Sequence, residues 1–148
     1  MDTSSFFQYP TGGTEPGTAP ATFLGGAGER EWDALLSYMQ SRQLRAGEMA
    51  FSEGDLDRAL YLLTVGRVEL RASAGPPVAV DSPAPLNEIA FLDGGRCAAG
   101  ARALSDGELL RLSFDAFESL AAREPTLARR ILLDLGRIVA TRLRPVGR

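Results

Sequence analysis

The side chains able to do chemistry in this 148-residue chain form a narrow set: there is no histidine, all 16 basic residues are arginine, and cysteine occurs once, at Cys97. Without histidine there is no Ser-His-Asp or Cys-His nucleophile, no imidazole base and no His-rich metal site. Without lysine there is no Schiff base, no Ser-Lys dyad and no P-loop lysine. Carboxylates, arginine clamps and backbone amides remain. Cys97 alone can form neither an internal disulfide nor a thiolate metal cluster, so nothing asks for an oxidising compartment, and a cytoplasmic location is the expectation. No catalytic residue, metal ligand or obligatory cofactor is assigned, and the chain is read as a non-enzyme.

Charge is uneven. Residues 1–119 carry a net −8 and residues 120–148 a net +5. Arg129, Arg130, Arg137, Arg142 and Arg144 could make an anion or nucleic-acid surface. They do not share one helix face, and no aromatic lies among them to stack bases, so a solvated helix end is the favoured reading and direct DNA binding is not expected. Asp55 and Asp57 lie in a turn and need no catalytic role, and Gly94-Gly95 reads as a turn. No apolar run approaches the roughly 20 residues of a membrane span.

The elements that must position these groups follow from periodicity. Residues 1–28, rich in Gly, Thr and Pro, are expected to be a disordered or loosely docked arm, with Phe6, Phe7, Tyr9, Phe23 and Leu24 docking on the domain formed by 29–148. From Glu29 to Ser41 the apolar Trp32, Leu35, Leu36 and Met39 recur at helical spacing. The period then shortens to two. Leu44, Met49 and Phe51, the run Leu60–Val65, and Val68, Leu70 and Ala72 are separated by Gly-containing turns, the signature of short antiparallel strands. Val78 and Val80 resume a strand that Pro83 and Pro85 confine to an edge. A further strand pair is expected at Ala99–Ala103 and Glu108–Leu112, joined by Ser105-Asp106-Gly107.

Helix returns at the end of the chain. Ser113 is a fair N-cap for a helix through Phe114, Phe117 and Leu120, and Pro125 opens a longer one at about 125–144. In that helix Leu127, Ile131, Leu135 and Ile138 form one row, and Ala128, Leu132, Val139 and Leu143 a second. A stripe this wide is suited to burial on two sides, against its own domain and against a second subunit or protein partner. Leu127, Ile131, Leu135, Ile138 and Val139 are taken as the interaction set.

Certain residues say more than the pattern. Leu44-Arg45-Ala46-Gly47-Glu48-Met49-Ala50-Phe51-Ser52-Glu53-Gly54-Asp55, followed by Leu60-Tyr61-Leu62-Leu63-Thr64-Val65-Gly66-Arg67-Val68, closely resembles the opening of the cyclic-nucleotide-binding domain family. Asn87-Glu88-Ile89-Ala90-Phe91-Leu92-Asp93-Gly94-Gly95 is similar to the start of its phosphate-binding cassette, and Glu108–Ser113 to its closing strand. The resemblance covers roughly 30–143. It implies a mainly β fold, an antiparallel β-roll with one N-terminal and two C-terminal helices.

In that family, a Gly-Glu pair opens a one-turn helix whose amides face the cyclic phosphate, the glutamate accepts from the ribose, and an arginine nine residues on pairs with the phosphate. The resemblance thus makes Asn87, Glu88, Ile89, Arg96, Cys97 and Ala98 the candidate ligand set, with cyclic AMP or cyclic GMP as the ligand. The chain departs from the pattern. Asn87 stands where glycine is usual, and Pro83 where another glycine is. A gapless alignment puts Cys97 at the arginine position; a one-residue deletion in 91–95 would put Arg96 there instead. Neighbouring side chains of extended backbone point to opposite faces, which disfavours Arg96. Asn87 can adopt the left-handed conformation and can also cap the short helix with its own side chain. The expectation is a stand-alone regulatory or accessory module, without the family's winged helix-turn-helix, in which nucleotide binding is weakened or lost. The alternative is a cyclic-nucleotide sensor acting in trans.

Overall fold

The computed structural model describes residues 23–144. Eight antiparallel strands form two four-stranded sheets. One contains β1 (Gln40–Leu44), β8 (Gly107–Ser113), β3 (Ala59–Val65) and β6 (Ala84–Leu86) in that order; the other contains β2 (Met49–Phe51), β7 (Gly100–Ala103), β4 (Arg67–Arg71) and β5 (Val78–Asp81). Four helices flank them: α1 (Glu29–Leu36), the short α2 (Glu88–Asp93), α3 (Phe114–Arg123) and α4 (Pro125–Leu143). This is the antiparallel roll with flanking helices expected from the sequence.

Strand β3 explains why Leu60–Val65 is an unbroken apolar run. It is an inner strand covered on both faces, so the usual alternation is lost. Ala59, Tyr61 and Leu63 point into the roll with Phe51, Val68 and Leu109. Leu60 and Leu62 point the other way, into a second core with Trp32, Leu35, Phe91, Phe117 and Ile131. The proline-bearing β6 is an edge strand, as is β5.

Three expectations are corrected. The first helix stops at Leu36, because Tyr38 and Met39 close tighter three-residue turns onto Leu35 and Leu36, and Gln40–Leu44 is recruited as an edge strand by β8. Strands β7 and β8 are not a pair: β7 bonds β2 and β4, whereas β8 bonds β1 and β3. The turn between them crosses from sheet to sheet, so tightly that a Cβ on Gly107 would lie 2.2 Å from the Val65 carbonyl oxygen. Finally, part of the segment assigned to the arm is core.

Phe23 and Leu24 are fully buried. Phe23 meets Trp32 edge to face with centroids 6.2 Å apart. The Leu24 amide donates to Asp134 Oδ2 at 2.9 Å, and Arg130 donates to the Gly25 carbonyl and pairs with Glu31. The docking expected for this apolar pair is therefore present, whereas Phe6, Phe7 and Tyr9 lie outside the described residues.

At the other end, Ser113 Oγ accepts from the Ala116 amide and Pro125 occupies the first turn of α4. Leu127, Ile131, Leu135 and Ile138 are all buried in the protein's own core. That row, expected to face a partner, is taken up by the domain, because α4 packs against α2 and α3 over the second core. The row left outside is Leu132, half-buried Val139 and Leu143. Among the described residues no helix is long and apolar enough to cross a membrane.

Candidate functional site

The candidate cassette lies where α2 leaves the edge strand β6. Asn87, the residue preceding the helix, adopts the left-handed conformation at φ 66°, ψ 30°, the role in which asparagine most readily replaces glycine. Its side chain does not cap the helix, contrary to one expectation. It reaches across to the start of β3, donating to the carbonyls of Asp57 at 3.0 Å and Ala59 at 2.9 Å. Asparagine here ties the cassette to the roll.

The next residue, Glu88, turns inward and is only 4% exposed. Its Oε2 accepts from Arg142 Nη1 at 2.7 Å, so a carboxylate in the cassette is paired with the last turn of α4. Burial pushes the Glu88 carboxyl up from its ordinary value, and the Arg142 guanidinium opposes this without cancelling it. Glu88 is thus more than a first-turn glutamate favoured by a helix dipole. Ile89 is exposed.

After α2 the chain returns to the roll through Gly94, and the two candidate cation positions separate. Arg96 is exposed, and its Nη1 donates to the Gly54 carbonyl at 2.9 Å. Cys97 faces inward, 2% exposed, with its amide bonded to Asp55 O, its carbonyl accepting from Gly54 and its Sγ 3.9 Å from Asp57 O. Burial raises the Cys97 thiol, with the nearby Asp57 charge acting in the same direction, which keeps it a neutral packing group. Ala98 is exposed. The structure therefore unites Asn87 and Cys97 on the carbonyl of Asp57, sends Glu88 to α4, and sends Arg96 to the Glu53-Gly54-Asp55 turn.

Several residues that support the cassette carry no sequence signal. Arg58 donates to the carbonyls of Phe91 at 3.0 Å and Leu92 at 3.3 Å, the unsatisfied end of α2, and its guanidinium lies 3.4 Å from the centroid of the Phe114 ring. Asp57 accepts from Arg111 Nη2 at 2.7 Å and from the Tyr61 hydroxyl. Burial, followed by that bond to Asp57, pushes Tyr61 up to about 12. Arg142, counted above only as part of a basic helix end, is the remaining member. Its link to Glu88 spans 54 residues and no local pattern reports it.

Comparison with known proteins identifies the family. The cyclic nucleotide-binding domain family matches residues 41–124, more than half of the chain. The chain belongs to this family. The cyclic nucleotide-binding domain is 37% identical over 124 residues to the cyclic AMP receptor protein of Thermus thermophilus, covering 80% of this chain and 56% of that protein. It superposes on the catabolite activator protein of the same organism with a TM-score of 0.70 at 33% identity, over 82% of this chain and 58% of the other. A cyclic nucleotide-binding domain from Methylobacillus flagellatus gives 0.75 at 26% identity, over 84% and 72%. The chain thus spans little more than half the length of the receptor protein it matches. The family match includes the cassette and Cys97 and stops short of Arg142.

Proposed function

We propose that this cyclic nucleotide-binding domain is a non-enzymatic regulatory module that works through protein contacts and in which nucleotide binding is weakened or lost. Cys97 carries the reading: a buried neutral thiol stands where the family places the arginine that pairs with a cyclic phosphate, and Arg96 is turned outward onto Gly54 O. An uncharged side chain there forfeits a charge-assisted pair worth about 1.5–3 kcal/mol, roughly a 10- to 150-fold loss of affinity. Contacts to a second copy or another protein are supported by the outer row of α4, where Leu132 is 40% exposed and Leu143 78%.

Calorimetric titration with cyclic AMP and cyclic GMP, alongside thermal melts, tests it. Silence in both is expected. A saturable heat with about 2.7 kcal/mol of stabilisation at a hundred times the dissociation constant would overturn it, and would favour the second reading, a sensor acting in trans through Glu88 and Arg96. That reading is supported by the identity to a cyclic AMP receptor protein. Sedimentation on dilution tests the contacts: a strict monomer removes the second-copy version.

A further inference from the structure

We propose that the outer face of the sheet formed by β2, β7, β4 and β5 carries a small-molecule site, separate from the cassette, for a zwitterion of dipeptide size.

Strand alternation builds it. Phe51, Val68, Leu70 and Ala101 turn into the roll, so Glu69, Arg71, Gly100 and Arg102 face outward. With Met49 and Glu53 they line a cleft of about 350 Å³, at the small end of ligand pockets. Gly100 is its floor: a Cβ there would lie 3.3 Å from both the Glu53 amide nitrogen and the Met49 methyl.

Two charges in the cleft are bonded only by neutral groups among the described residues. Arg102 Nε donates to the Gly47 carbonyl at 3.3 Å, which anchors the guanidinium and leaves both Nη groups for a carboxylate. Glu53 accepts from the Ser73 amide at 2.7 Å and from the Ser73 hydroxyl. Those bonds hold its carboxyl below the ordinary value, so it stands as a fixed anion. Glu69 and Arg71 neutralise each other at 3.1 Å and set an acceptor beside a donor along β4.

The separation of the two charges selects the ligand. Glu53 adjoins Gly100, and Arg102 lies two residues further along β7, a step of about 7 Å. Gly47 bonds Ala103, so the bond to Gly47 draws Arg102 further from Glu53. The ammonium and carboxylate of a free amino acid share one carbon and are too close to reach both. A dipeptide places a peptide unit between them, about 3.8 Å more from Cα to Cα. Its ammonium then meets Glu53, its carboxylate Arg102, and its amide the Glu69 and Arg71 pair.

Calorimetric titration of the full chain with alanyl-alanine tests this. Saturable binding is expected, weakened about tenfold or more in Glu53→Gln and in Arg102→Gln, the worth of one charge-assisted bond. N-acetylation of the dipeptide should weaken binding to the parent but not further to Glu53→Gln, and C-terminal amidation likewise for Arg102→Gln. Both side chains are exposed, so thermal melts of the variants should match the parent. No saturable heat at millimolar dipeptide, parental affinity in both variants, capped dipeptides that bind as tightly as the free one, or free alanine that does so, would each overturn the site. Neither Glu88 nor Cys97 takes part, so the outcome with cyclic nucleotides does not bear on it.

Discussion

Replacing Asp134 by alanine isolates the contact that holds the N-terminal segment. Asp134 is almost fully buried in α4, and its Oδ2 accepts the Leu24 amide at 2.9 Å in a region where Leu24 itself is inaccessible to water. Removing the carboxylate orphans that amide, at a cost of about 1–3 kcal/mol. The pair with Arg137 adds little, since it is 3.7 Å long and Arg137 is 66% exposed. The segment should nevertheless stay in place, because releasing it would expose Phe23 and Leu24, each worth about 1.5–3 kcal/mol of burial. Asp134→Ala should therefore cost about 2 kcal/mol, lowering Tm by about 6–10 °C for a domain of this size. Asp134→Asn, which keeps an acceptor oxygen, should lose less than half as much. Calorimetric melts measure the loss. Trp32 emission, sensitive to the Phe23 ring, reports whether the segment stays docked. A Tm for Asp134→Ala within about 1 °C of the parent, or equal losses in the two variants, would refute the reasoning.

The raised Glu88 carboxyl implies that the folded chain keeps a proton which the unfolded chain gives up above 4.5. As pH climbs from that value the parent should lose stability relative to Glu88→Gln, and a flat or opposite trend in paired melts would contradict this. Gly107→Ala places a Cβ 2.2 Å from the Val65 carbonyl and should cost about 3 kcal/mol or more. Gly47→Ala, with open space but φ +89°, should cost only about 1–2 kcal/mol; urea midpoints rank the two. Ile131→Ala on the inner face of α4 should lose about 2–5 kcal/mol, and Leu132→Ala on the outer face under about 1 kcal/mol, unless Leu132 is covered by a second copy at the concentration of the melt.

What the sequence by itself determined was local or periodic. The Glu53-Gly54-Asp55 turn, the edge positions implied by Pro83 and Pro85, the Ser113 cap, the Pro125 start and the unbroken β3 run all depend on neighbours a few residues away or on a repeat of two or 3.6. Motif order along 44–113 added the roll, and with it the places where Asn87 and Cys97 depart from the family pattern. Periodicity reports that a face is buried and is silent on what buries it. The row Leu127, Ile131, Leu135 and Ile138 was legible as apolar, but only the tertiary structure showed it closing the protein's own core.

The remaining decisions were also made over long separations. Leu24 meets Asp134 across 110 residues, and β7 and β8, adjacent in the chain, belong to opposite sheets. Arg58 caps a helix more than thirty residues ahead. Glu88 illustrates the division most clearly. Its presence in a cassette-like stretch could be seen in the sequence, but its partner could not, because an ion pair has direction and reach only after the fold has brought α4 over α2. Local spacing determined which groups the site contains, and chain topology determined that the carboxylate among them is held by the chain's own arginine.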